Sequence, residues 1–114
     1  MITYEVNEYV YLRLLEIHYI NWGNRLTSIG YWLGAQFQVC GIMTDTCRAL
    51  VDSLFKVYKL NRVEIRAATQ NLRSRSIPER LGFMNEGCRR QAEWLYDHYV
   101  DHVIYGQLAS DWPD

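Results

Sequence analysis

The segment Gly34-Ala35-Gln36-Phe37-Gln38-Val39-Cys40-Gly41-Ile42-Met43-Thr44 joins an apolar stretch to an amphipathic one, with a glycine at the bend. Where a helix starts there, its first amides have no acceptor inside the helix and carry the positive end of its dipole. Such a terminus holds a phosphate without a lysine. Gly41 lets the backbone approach a ligand closely, and Thr44 adds a hydroxyl. The chemistry on offer is anion binding, and the competing reading is a plain turn. His98 and His102 are four apart, a metal-ligand spacing on a helix. On a strand such residues lie about 13 Å apart. This stretch reads as turn and strand, so surface or turn histidines are expected and no metal. Cys47 falls on an apolar helical stripe and reads as core. Cys40 stands at the helix start, where the dipole favours a thiolate, against the reading of an incidental exposed residue.

These residues need elements to hold them. Tyr9 to Ile20 is rich in Val, Leu, Ile and Tyr and predicts a strand. Asn21-Trp22-Gly23-Asn24 is a turn signal, and Leu26 to about Leu33 predicts a second strand, antiparallel to the first. From Gly41 the period changes. Met43, Cys47, Leu50, Leu54 and Tyr58 recur at helical spacing, with Asp45, Arg48, Asp52 and Lys56 on the other side. This predicts an amphipathic helix of about four turns. Arg62-Val63-Glu64-Ile65-Arg66-Ala67 alternates polar and apolar, as a half-buried strand does. Strand, helix, strand with short joints implies a right-handed crossover and a parallel strand pair. Ser76 and Glu79 stand at capping-box spacing, Pro78 suits a first turn, and Gly82 suits the position after a helix end. A short second helix capped by Ser76 is expected. Phe83 to Ala109 reads as two strands around a polar turn near Asp97. The fold class is therefore α+β: a mixed, mostly antiparallel sheet with one parallel pair and two helices, in a single domain over 1–114.

Composition agrees. With 114 residues, 49% hydrophobic and 22% charged, the chain suits one globular domain. Its apolar runs are too short to span a bilayer, and its opening does not read as a signal peptide. Three cysteines without a C-x-x-C exclude a disulfide scaffold and a zinc module. A reducing, cytoplasmic setting is expected. A net charge of −1 leaves no basic excess for nucleic acid. Arg62, Arg66, Arg73, Arg75 and Arg80 cluster nonetheless, as a solvated face or as a site for a polyanionic cofactor.

Gln38-x-x-Gly41 after the Gly30-Tyr31-Trp32-Leu33 strand resembles the acetyl-CoA signature of the GNAT N-acetyltransferase superfamily. The wider text is similar to its ribosomal-protein N-terminal acetyltransferase branch: Ile20-Asn21-Trp22, Ile29-Gly30-Tyr31-Trp32-Leu33, Gly41-Ile42-Met43-Thr44, Leu60-Asn61-Arg62-Val63, Asn71-Leu72-Arg73-Ser74 and Pro78-Glu79-Arg80-Leu81-Gly82-Phe83. These blocks occur in order, and the resemblance runs from about residue 10 onward. It implies an acyltransferase that moves acetyl from acetyl-CoA to an amine, a protein N-terminus first among acceptors. It implies that Tyr31, Trp32 and Leu33 offer backbone groups to the pantetheine arm, in a gap where their strand splays from the strand over 63–67. It implies that Gln38 opens the signature and that the amides of Val39, Cys40, Gly41, Ile42, Met43 and Thr44 hold the diphosphate. The side chains of Asn71 and Ser74 would reach the cofactor from the second helix. The thioester carbonyl would meet the amine where the strands diverge, and a backbone amide there would stabilise the oxyanion.

The chain departs from this pattern in places. Val39 stands where the family has glycine, and Cys40 where it has a basic residue. A β-branched residue disfavours positive φ, and the lost charge removes a phosphate partner. A weaker hold on CoA is expected than in a relative with Gly and Lys. Pro78 stands where many members place a tyrosine acid, and it has no proton to give. No glutamate lies near Ser28 to serve as base. Glu93, His98 and His102 remain, and the sequence does not choose among them. The family's further strand and two helices, which wall the acceptor site, are expected to be missing before residue 10. An unpaired sheet edge and an uncovered apolar face would follow, and a homodimer is the expected remedy. The competing expectations are a module that binds CoA without catalysis and an interaction protein that keeps the fold alone.

Overall fold

The apolar stripe and the alternating segment both take the forms their periods require. In a computed structural model, which describes residues 15–31 and 40–113, the chain order is β1 (Leu15–Asn21), β2 (Leu26–Tyr31), α1 (Cys40–Lys56), β3 (Arg62–Ala68), α2 (Leu72–Arg80), β4 (Met84–Leu95) and β5 (His98–Leu108). A 3-10 turn, Ala109–Asp111, follows. The parts of the two expected N-terminal strands over 9–14 and 32–33 lie outside the described residues.

The five strands form one sheet in the order β1-β2-β3-β5-β4. β2 and β3 are parallel and joined through α1, while the other neighbouring pairs are antiparallel. Directly opposed residues share a face, so the register sorts the sheet into two sides. Val63, Ile65 and Ala67 of β3 lie on one side with Gln107, Tyr105 and Val103 of β5. Both helices pack there: Met43, Cys47, Val51 and Leu54 of α1 are 0–1% exposed, and Ile77 of α2 is 0% exposed. Burial drives the Cys47 thiol up to about 12, consistent with a core residue. The other side carries Arg62, Glu64, Arg66 and Ala68, with Leu108, Gly106, Ile104 and His102 opposite. That side is polar, and no helix among the described residues is recorded packing on it.

The second helix starts earlier than the capping-box spacing implied. Its cap is Asn71, whose Oδ1 accepts from the Ser74 amide at 3.1 Å. Ser76 instead donates to the Arg73 carbonyl at 2.6 Å. Pro78 is therefore inside the helix rather than in its first turn. Its fully buried ring fills the core, which offsets the lost amide bond. The end is as expected. Gly82 takes φ +82, its amide bonds Glu79 O at 3.2 Å, and the Phe83 amide bonds Pro78 O at 2.9 Å. That is the Schellman closure, which a left-handed glycine makes cheap.

On the polar side, Arg62 donates to both carboxylate oxygens of Glu86, at 3.1 and 2.5 Å, and to Glu64 at 3.0 Å. Glu86 is the extra residue of a bulge in β4, between Asn85 and Gly87. The arginine holds its carboxyl below the ordinary value of 4.5. A carboxyl depressed in the folded state adds stability above its unfolded pKa and loses it as pH falls through the folded one. The stability gap between the parent and Glu86→Gln should therefore be full at neutral pH and close below about 4.5. Denaturant titrations at several pH values check this, and a gap unchanged at acid pH would sink the bidentate pair as its cause.

Candidate functional site

Two helices begin where two parallel strands end. β2 leads towards α1 and β3 leads into α2, so both N-termini serve the carboxyl end of the parallel pair. Ligands of sheets with parallel strands gather at that end, because the free amides and positive dipole ends of the helices collect there.

The strands also part at that end. Their rungs run from Leu26↔Arg62 through Thr27↔Val63 and Ser28↔Glu64 to Ile29↔Ile65, the last recorded. Neither strand stops there. Gly30 and Tyr31 continue β2, held by Glu16 and Leu15 of β1. Residues 66–68 continue β3, held by Ile104, Val103 and His102 of β5. Each strand is gripped from its outer side while the inner ladder has ended. A wedge between β2 and β3 is the result, with backbone groups on its walls.

The expected site residues divide accordingly. Tyr31 ends β2 at the wedge, and Cys40, Gly41 and Ile42 open α1, each placed by its backbone alone. Trp32, Leu33, Gln38 and Val39 lie outside the described residues. Met43 is 0% exposed and Thr44 4%, so their side chains point into the core and the hydroxyl of Thr44 is enclosed. Both stand past the first turn of α1, whose free amides belong to the residues before them. Asn71 is exposed at the head of α2, and Ser74, one turn on, is 6% exposed.

α2 is pinned by a buried tyrosine. The Tyr105 hydroxyl donates to Glu79 Oε2 at 2.7 Å and accepts from Arg75 Nε at 3.0 Å. Arg75 also reaches the Thr69 carbonyl at 2.9 Å, just beyond β3. Burial raises the Tyr105 phenol, the largest of several influences, which keeps it protonated as the donor to Glu79. The five clustered arginines thus do not make one face. Arg62 and Arg66 sit on the polar side of β3, and Arg73, Arg75 and Arg80 sit on α2.

Of the proton-transfer candidates, His98 pairs with the adjacent Asp97 at 2.7 Å, and both are exposed beside the β4–β5 turn. His102 is different. Its Nε2 lies 3.0 Å from Glu93 Oε1 across the hairpin, and its side chain is 17% exposed. The expectation of a surface or turn histidine holds for His98, and His102 lies half-buried on the open polar face of the sheet. The pairing had a signal in the sequence. A two-residue turn at 96–97 sets Leu95 against His98 and Glu93 against Val100, so His102 follows on the same face. Close by, Arg66 Nε and His102 Nδ1 are both buried without a hydrogen-bond partner.

Comparison with known proteins gives this arrangement a family context. The family described as an acetyltransferase (GNAT) domain matches residues 12–84. YdaF of Bacillus subtilis (strain 168), which carries a ribosomal N-acetyltransferase name, is 38% identical over 99 residues, covering 87% of this chain and 54% of YdaF. The ribosomal-protein-serine acetyltransferase of Escherichia coli (strain K12) is 35% identical over 87 residues, covering 76% of this chain and 49% of that protein. A solved structure of RimL, a ribosomal L7/L12 alpha-N-protein acetyltransferase, in complex with coenzyme A superposes with a TM-score of 0.76 at 33% identity, over 82% of this chain and 53% of that one. The chain spans about half the length of the curated relatives it matches.

Proposed function

The chain belongs to the acetyltransferase (GNAT) domain family, and from that premise we propose that it moves an acetyl group from acetyl-CoA to an amine, a protein N-terminus being the acceptor class. The observation that carries this reading is the wedge: the β2–β3 ladder stops at Ile29↔Ile65 while both strands run on. Facing main-chain groups beyond the last β2–β3 rung among the described residues suit an extended amide-bearing arm, which binds as an added strand would.

The residues fit such a ligand. The first amides of α1, at Cys40, Gly41 and Ile42, present donors and a positive dipole end to a diphosphate. Asn71 caps α2 with one oxygen and is exposed enough to meet the ligand as well. Tyr105, Arg75 and Glu79 keep that helix end in place. Acetyl-CoA supplies a thioester, whose thiol leaves readily because its pKa is about 8.5. That matters here because Pro78 has no proton for the leaving group. The core fills the helix side of the sheet, so the acceptor amine comes from the polar side. A homodimer, read from exposed Ile17, Tyr19 and Trp22 around the β1 edge, and a cytoplasmic setting belong to the same proposal.

Pro78 also favours a second reading, a domain that binds CoA without transfer. Two measurements decide. Acetyl-CoA at about 100 times its Kd should add about 2.7 kcal/mol to stability, read as a thermal shift. Thiol release with an N-terminal peptide should then follow acetyl transfer. A shift without thiol release supports the second reading, and no shift at all sinks both.

A further inference from the structure

We infer that His18, turned onto Gly30 by a bulge in β1, is the base that takes the proton from the acceptor amine. This rests on the acetyl-transfer reading and names a residue that serves it. β1 and β2 pair in step except between Ile17 and Tyr19, where His18 is the extra residue. Bulges re-aim a side chain and are over-represented beside active sites. Here the imidazole is laid on Gly30. A Cβ added to that glycine would stand 2.7 Å from ring Cε1, and closer still to Nε2. Nε2 is therefore within about 4 Å of the Gly30 Cα, allowing one carbon–carbon bond between Cα and Cβ.

Gly30 lies at the mouth of the wedge. It is the first residue of β2 past Ile29↔Ile65, the last β2–β3 rung among the described residues. Had the ladder continued, its partner would be Arg66. Ser28 opposes Glu64, so Ser28, Gly30 and the ring on them belong to the polar side, the side open to an acceptor. The His18 side chain is exposed there, so an amine at the wedge comes within its reach. The charged side chains of β3 on that side are Arg62, Glu64 and Arg66. Glu64 makes the poorer base, since one oxygen accepts from Arg62 at 3.0 Å and the other faces Arg66 at 3.7 Å. His102 and its partner Glu93 stand farther out, because His102 opposes Ala68, three residues past the rung.

A neighbour holds the ring. Nδ1 lies 3.4 Å from Oγ of Ser28, which is 0% exposed. A buried hydroxyl needs a partner, and the ring supplies one. With Nδ1–H donating to Oγ, Nε2 keeps its lone pair over the wedge. The bond is long, and catalytic bonds commonly tighten only when substrate binds. The step balances. The acceptor ammonium gives one proton to Nε2, and its freed lone pair forms the C–N bond. The C–S bond breaks with its electron pair left on sulfur. A second proton on nitrogen passes to that sulfur, giving the thiol, and the imidazolium returns its proton to water.

The test uses the whole chain, acetyl-CoA and a short peptide amide with a free N-terminus. In the parent, nitrogen-15 spectra should place the proton of neutral His18 on Nδ1. His18→Gln should lower kcat by roughly 100-fold or more, with calorimetric affinity for acetyl-CoA within about twofold. Gly30→Ala reaches the same group by another route. The three atoms nearest its added methyl all belong to the exposed His18 ring, so the ring moves, the fold holds and kcat should fall as well. In a His18→Ala background the same methyl has no ring to displace and should change kcat by less than about twofold, as members of one unit behave. A proton found on Nε2 overturns the assignment, and that result needs no variant to fold. Parental kcat in His18→Gln overturns it too, as does a Gly30→Ala loss of equal size with and without the ring. In each of those cases the parent still transfers acetyl, and the transfer reading stands. A parent that binds acetyl-CoA without releasing thiol, or does not bind it, sinks that reading and this assignment together.

Discussion

Trp112→Ala is expected to remove about 3–5 kcal/mol of unfolding free energy, the usual cost of deleting a large aromatic from a core. Trp112 is 9% exposed although it stands two residues before Asp114. Its ring lies 5.8 Å from Phe55 of α1 and 6.4 Å, edge-on, from Phe83 just before β4. Its Nε1–H reaches Asp52 Oδ1 at 3.1 Å, and Asp52 is also paired with Lys56 at 2.8 Å. One side chain thus ties the C-terminal segment to α1 and to the chain entering β4. Against a typical total of about 5–15 kcal/mol, such a loss is a large share. Trp112→Phe keeps much of the ring contact and gives up the hydrogen bond, so it should lose about 1–2 kcal/mol. Urea titrations of the two variants separate packing from the indole bond. A loss below about 1 kcal/mol in the alanine variant would mean that the end of the chain unfolds apart from the core.

Period carried most of what could be read beforehand. Arg62-Val63-Glu64-Ile65-Arg66-Ala67 alternates because one side of β3 meets helices and the other does not, and the burial follows that alternation. The stripe Met43, Cys47, Leu54 marks α1 for the same reason. The start of α2 was misjudged because two local rules competed. Ser76 and Glu79 have the spacing of a capping box, but Asn71 and Ser74 also suit a helix start, and tertiary contact decided. Glu79 was already committed to Tyr105, twenty-six residues away in sequence, so it could not close a box on Ser76. Such long-range commitments leave no mark in a window of ten residues. The wedge was legible through family resemblance alone, since nothing in Ile29 or Ile65 themselves says that their rung is the last. His98 and His102 were read as surface or turn residues because strand spacing sets them about 13 Å apart, a comparison within one strand that leaves out Glu93 across the hairpin.

Asn71→Asp should separate what α2 needs for folding from what it offers a ligand. Aspartate caps a helix as well as asparagine does, and its charge suits the positive end of the dipole. Stability should therefore hold or rise slightly. Asn71→Ala, by contrast, leaves the Ser74 amide without its 3.1 Å acceptor and should cost about 1 kcal/mol. Binding should order the variants differently. The proposed ligand carries a diphosphate and meets two helix N-termini, so a new carboxylate at the head of α2 repels it. Two unit charges about 6 Å apart, at an effective dielectric near 40, interact by about 1.4 kcal/mol, or roughly tenfold in affinity. Calorimetry with acetyl-CoA should then rank the parent tightest, alanine weaker and aspartate weakest, while thermal melts of the free chain rank aspartate at or above the parent and alanine below. The repulsion should fade as salt is raised, because this site is open to solvent. If aspartate binds as tightly as asparagine at low salt, the anionic part of the ligand does not pass the head of α2. The cap would then be a folding device alone, and the case for a carrier diphosphate would rest on the start of α1.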